Sequence, residues 1–174
     1  MTGPFTQGFV DEWHHTRMGE YTYACSDFKF KKGLVSATKT SGHTLQIADG
    51  LWLDKKFKAA MMKSIAQSEL DRKRFVYSDI GFILLQQVVE AVTGKTLDAY
   101  LVSEFYRPMG LEHTLFQPLN RYKKADIMPT AANDYLRRQD LCGYVHDEAA
   151  AFMGGVSGNA GLFSTAQELG KIYQ

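Results

Sequence analysis

The sequence predicts a mainly α-helical fold carrying a small β-hairpin near residues 44–53. Three observations lead there. Residues 80–93 form an apolar run broken chiefly by Gln86, Gln87 and Glu90 and closed by Gly94, the pattern of a helix buried on most sides. Apolar residues recur at helical spacing on both flanks, Phe57, Ala60, Met61 and Ile65 before it and Leu97, Tyr100, Leu101 and Phe105 after it. One hairpin signal, Asp49-Gly50, separates Thr44-Leu45-Gln46-Ile47 from Leu51-Trp52-Leu53, and it marks the only sheet expected.

In chain order, Gly3, Pro4 and Gly8 read as an extended entry segment. Val10, Trp13, His14 and Arg17 suit a short helix over 10–18. His14 and His15, with Asp11 nearby, project to different sides of such a helix, so no metal site is predicted. Residues 21–42 lack a helical period and read as loop. Asp54 caps the helix of Phe57 and Met61. Tyr77-Ser78-Asp79 stands at the mouth of the 80–93 helix, where Ser78 or Asp79 can accept from the first free amides. Thr96 opens a further helix that Pro108 and Gly110 stop. Residues 111–140, with Pro118 and Pro129, read as irregular, and a segment that long is usually functional. Residues 147–153 suit an alanine-rich helical turn. Gly154, Gly155, Gly158 and Gly161 follow it and permit a close backbone approach, without the pattern of a phosphate cradle. Thr165-Ala166-Gln167-Glu168 is a capping box opening a last helix with Leu169, Ile172 and Tyr173 on one face. That pattern stops uncapped at Gln174, so the expectation is a truncated piece, 1–174 forming a single helical subdomain.

Composition bounds the function. At 174 residues, 45% hydrophobic and 22% charged, the chain can bury a core, and a formal net charge of +1 argues for no nucleic-acid partner. Cys25 and Cys142 stand alone, which indicates neither a disulfide framework nor a zinc site, and no cofactor is called for. The chain shows no signal peptide and no membrane span.

Tyr77-Ser78-Asp79-Ile80-Gly81-Phe82, Val89-Glu90-Ala91-Val92-Thr93-Gly94 and Arg107-Pro108-Met109-Gly110-Leu111 form one block. Gly143-Tyr144-Val145-His146-Asp147 and the run Gly154-Gly155-Val156-Ser157-Gly158-Asn159-Ala160-Gly161-Leu162-Phe163 form another. Together they resemble the penicillin-recognising serine hydrolases: class C β-lactamases, esterases and D-alanyl-D-alanine carboxypeptidases. The resemblance implies the helical domain of such an enzyme, lacking its α/β sheet domain, which would be the missing partner. It implies acyl transfer on β-lactams, cell-wall peptides or small esters, and a parent protein in the periplasm or cell envelope. The resemblance assigns Tyr77 the catalytic acid/base role and implies that Ser78, Asp79, Ser157, Gly158 and Asn159 bind substrate. Asp79 stands where asparagine is more familiar, Ala131 where glutamate is frequent, and Asn159 where histidine is frequent. A carboxylate cannot donate the bond an amide would.

The family nucleophile is a Ser-x-x-Lys at the start of a buried helix. Ser26-Asp27-Phe28-Lys29 and Ser36-Ala37-Thr38-Lys39 match that spacing, but neither opens an apolar helical run. The chain is therefore expected to be inactive alone. The alternative reading is a non-catalytic module of the same fold that binds peptidoglycan or a protein partner.

Overall fold

The computed structural model describes residues 15–17, 23–25, 30–69, 75 and 77–174, and the chain forms two compact units, Met1–Arg74 and Phe75–Gln174. In the first unit β1 (His15–Arg17) pairs antiparallel with β2 (Tyr23–Cys25). The expected hairpin is present as β4 (His43–Ala48) and β5 (Leu51–Asp54), turning at Asp49-Gly50. A further strand, β3 (Val35–Ser36), adds to β5 and makes the sheet three-stranded, in the order β3-β5-β4. Helix α1 (Phe57–Gln67) buries Phe57, Met61 and Ile65, and the sheet buries Ile47, Ala48 and Leu53. Asp54 accepts from the Lys56 amide at 2.8 Å, just ahead of that helix. The short helix expected over 10–18 gives way to strand at His15–Arg17, and the loop expected over 21–42 holds β2 and β3. His14 lies outside the described residues.

The second unit opens with α2 (Asp79–Thr93), closed by Gly94 at φ +66°, where a Cβ would be strained. Helix α3 (Leu97–Leu101) runs on through a π-helical turn, Val102–Tyr106. Thr96 stands at its N-cap but makes no cap bond; the Glu90 carboxylate takes the Leu97 amide instead, at 3.1 Å. Residues 111–140 are far from irregular. Strand β6 (Leu115–Phe116) pairs with β9 (Leu162–Phe163), and β7 (Pro129–Asp134) pairs with β8 (Gln139–Cys142). Helix α4 (Glu148–Phe152) and α5 (Ala166–Ile172) complete the unit around Leu136, Leu141, Ala150, Ala151 and Phe152, all buried.

These pairings correct the fold class. Among the described residues the chain holds four small antiparallel sheets beside its helices, so it is a mixture of α and β. It is not mainly α, and nothing in it supports describing it as a helical domain without a sheet domain. The burial of α2 also differs from expectation: only Ile83 and Gln86 are buried, while Leu85, Val88 and Val92 are 59%, 56% and 81% exposed. Apolar periodicity shows which side chains favour burial; it does not show what covers them.

Candidate functional site

Tyr77 sits one residue ahead of the extended N-cap Ser78, so its side chain emerges at the open end of α2. Ser78 makes no side-chain cap bond. The Tyr77 hydroxyl donates to Asp79 Oδ1 at 3.0 Å, and its ring lies 6.0 Å from that of Phe82. The hydrogen bond to Asp79 is the main reason its phenol is pushed above the ordinary tyrosine value; the charges of Asp79 and, more weakly, Asp147 act in the same direction. A carboxylate beside a phenol disfavours the phenolate.

Asp147 itself belongs to the glycine-loop side of the site. Asp147 is the N-cap of α4, and its Oδ1 accepts from the Ala150 amide at 2.7 Å and from Asn159 Nδ2 at 3.0 Å. Asn159 Oδ1 in turn accepts from the Ser157 hydroxyl at 2.6 Å, and Ser157 is buried. An amide can donate and accept at once, so Asn159 bridges a hydroxyl and a carboxylate with no change of protonation. The loop is also held from outside: Gly158 N–H donates to Gln86 Oε1 at 3.1 Å, and Gln117, itself at φ +48°, donates to the Gly154 carbonyl.

Behind Asp147 lies a fully buried ion pair. Arg137 Nε and Nη2 donate to Asp134 Oδ1 and Oδ2 at 2.8 and 2.7 Å. Arg137 Nη1 and Nη2 also reach the carbonyls of Val145 and His146, the two residues before Asp147. Burial pushes the Asp134 carboxyl up, but the bonds from Arg137 outweigh it and hold the carboxyl below its usual range. The pair thus anchors the strand pair β7–β8 to the segment that delivers Asp147.

The structure therefore brings Tyr77 and Asp79 together, brings Ser157, Gly158 and Asn159 together, and joins the two groups at Phe82, whose ring stands near Tyr77 and whose carbonyl a Cβ at Gly158 would strike. An open apolar groove of about 340 Å³, walled by Phe82, Leu85, Val89 and Phe116, adjoins Ser157, Gly158 and Asn159. Ala131 lies in β7 opposite Leu141. Sequence reasoning missed Asp147, Gln86 and Arg137 as contributors. Asp147 carried a signal, an aspartate two residues before an alanine run, whereas Gln86 depends on partners about seventy residues away and Arg137 on the fold of the β7–β8 turn. Ser36 lies in strand β3 and accepts from the Thr38 amide, and Lys39 is 5.5 Å from the Trp52 ring, so this pair has no helix start to act from. Ser26 and Lys29 lie outside the described residues. Among the described residues no three His, Cys, Asp or Glu side chains gather as a metal site, and no helix is long and apolar enough to cross a membrane.

Comparison with known proteins agrees with the two sequence blocks. A family model described as Beta-lactamase matches residues 37–174. A protein of Escherichia coli K12 named "Putative D-alanyl-D-alanine carboxypeptidase" is 34% identical over 98% of this chain and 42% of its own length. One of the same name from Salmonella gallinarum is 33% identical over 67% of the chain and 31% of its own length. The Bacillus subtilis "N-acetylmuramyl-L-alanine amidase" is 42% identical over 58% of the chain and 26% of its own length. No solved structure matches. The chain spans less than half the length of these curated relatives. On the family match and the identity along nearly the whole chain, it belongs to the β-lactamase and penicillin-binding-protein-like family of serine hydrolases.

Proposed function

We propose that this chain supplies one side of the active site of a serine hydrolase that cleaves amides of alanine in cell-wall peptides by acyl transfer. The observation that carries the reading is the pairing of Tyr77-Asp79 at the mouth of α2 with the Ser157-Asn159-Asp147 chain, the two meeting at Phe82, whose ring lies beside Tyr77 and whose carbonyl lies against Gly158. The relatives' names support the substrate class, since both describe amide cleavage at alanine. Tyr77 moves the proton between nucleophile and leaving group, and Asp79, Ser157, Gly158 and Asn159 hold the substrate. In this reading the serine nucleophile is not among these 174 residues, since Ser36 lies in a strand and opens no helix. The parent protein then works in the cell envelope, where such peptides are found.

Full-length protein carrying this segment should release D-alanine from D-alanyl-D-alanine peptides or free the peptide from a muramyl–alanine amide, and Tyr77→Phe should slow it by about 10²–10⁴. The 174-residue chain alone should show no mass adduct after penicillin treatment. An adduct on Ser36 or Ser26 of the isolated chain would overturn this account of the nucleophile. A non-catalytic module that binds peptidoglycan is the second reading. It is favoured by one observation: among the described residues, the charged groups that bear on the phenol are carboxylates, which oppose its use as a base. A full-length protein that pulls down with peptidoglycan and turns over no peptide would select that reading.

A further inference from the structure

We infer that Gln86 is a positioning residue for this site, holding the glycine loop so that Ser157 and Asn159 keep a set offset from Tyr77. The inference rests on the reading of Tyr77 and residues 157–159 as sides of one site. Gln86 is 2% exposed on a helix whose neighbouring Leu85 is 59% exposed. A carboxamide buried that deeply is costly unless its groups are bonded. Nε2 donates to the Val156 carbonyl at 3.3 Å, and Oε1 accepts from the Gly158 amide at 3.1 Å. One side chain thus grips the backbone on both sides of Ser157.

The grip is directional. Nε2 also donates to Glu90 Oε1 at 3.0 Å, and the same Glu90 oxygen accepts the Leu97 amide that opens α3. Flipping the carboxamide would set its oxygen against two acceptors and its NH₂ group against the Gly158 N–H, so Glu90 fixes which way it faces. The geometry also needs glycine at 158: a Cβ there would collide with the Phe82 carbonyl and meet Gln86 Cβ at 3.3 Å. Phe82 is the residue whose ring stands against Tyr77.

Helix α2 therefore acts as a ruler. Its first turn presents Asp79 and the Tyr77 hydroxyl, and two turns on, about 10 Å along the axis, Gln86 clamps the loop. A rise between two points on one hydrogen-bonded helix is among the stiffest distances a chain can set.

The test compares two variants by amide exchange. Gln86→Met keeps the volume and removes the bonds. The Gly158 protection factor should fall at least tenfold, while the Glu112 and His113 amides, held by Glu168, stay protected. Gln86→Glu offers a conditional rescue. As a neutral acid at low pH it can accept from Gly158 and donate to Val156, but ionised beside Glu90 it is repelled. Gly158 protection in that variant should fall as pH rises, with no such trend in the unaltered protein. In active full-length protein, Gln86→Glu should add the same pH dependence to turnover. Unchanged Gly158 protection in both variants, or equal loss at Glu112 and His113, would overturn the clamp. If Gln86→Met does not fold, the pH trend in Gln86→Glu decides alone. An unaltered full-length protein without turnover would count against the proposed function, while the exchange result would still decide whether the clamp exists.

Discussion

The two sides of the candidate site are built differently. Tyr77 is 69% exposed and its hydroxyl bonds to Asp79, two residues away. Ser157 is 3% exposed and lies in a chain of bonds through Asn159 and Asp147, backed by the Gln86 carboxamide and the Arg137–Asp134 pair. The loop side is preorganised by partners distant in sequence, while the tyrosine side is set by the end of one helix. Geometry that must be held for chemistry is usually fixed by a supporting shell of locked side chains. Here one side has that shell within the described residues, and the other takes its position from α2 alone.

The comparison breaks most easily at the buried pair. Arg137→Ala would leave the Asp134 carboxylate without its partner at full burial, and should cost about 3–5 kcal/mol in urea unfolding. It should also disturb the Asn159 side-chain amide resonances, because Arg137 holds the carbonyls just before Asp147. Tyr77 ring resonances should shift far less. Equal disturbance at both places would mean that the two sides are not separately supported.

Acid should reach the supported regions in the same way. Glu168 closes only half of the expected capping box: Thr165 accepts its amide, but the Glu168 carboxylate turns to the Glu112 and His113 amides and the Thr114 hydroxyl. Burial opposes its charge, and those bonds outweigh that, so its carboxyl is held below the usual range, as is that of Asp134. Both folded-state values lie below the unfolded ones. Their contribution is complete above the ordinary carboxylate range of about 4 and is lost as pH falls through the lowered values. Urea midpoints should be flat from neutral pH down to about 5 and then fall, and Glu168→Gln should make the fall shallower.

A smaller and sharper test uses two glycines near α2. Gly158→Ala pushes a methyl against the Phe82 carbonyl and should cost about 1–3 kcal/mol. Gly81→Ala, inside α2 with nothing within 4 Å, should stabilise by about 0.5–1 kcal/mol. Matching costs at the two positions would refute the close approach of loop to helix.

What was legible in the sequence follows the same division. The Asp49-Gly50 hairpin, α1 with its Phe57-Met61-Ile65 stripe, α2 and its Gly94 terminator, and Thr165 at the start of α5 were all visible, because each signal lies within a few residues of the element it makes. The two-residue strands β6 and β9 were not visible. Their register, Leu115 opposite Phe163, joins segments that show no alternation of their own. Gln86 read as a polar interruption because its partners, Val156 and Gly158, lie about seventy residues on. Of the site, the motif residues could be named from resemblance, but the bonds that hold them could not.

The last test concerns the tyrosine side, and its effect on stability should be the smallest. Tyr77 is exposed, so its titration says little about folding, but it reports which charges act at the mouth of α2. With the Asp79 carboxylate accepting its proton and Asp147 adding negative charge, the phenol should titrate above the ordinary tyrosine value. Asp79→Asn removes the nearer charge and restores the more familiar family residue. The Tyr77 value should then move down, while Asp147→Asn should move it down by less, in keeping with the weaker influence of that group. Ring-labelled tyrosine followed by NMR across alkaline pH, with Tyr77→Phe to assign the resonance, measures this directly. A Tyr77 that titrates below its ordinary value in the unaltered chain would show that cations outside the described residues dominate at the hydroxyl. That result would turn the exposed side from a hydrogen-bond donor into a ready base.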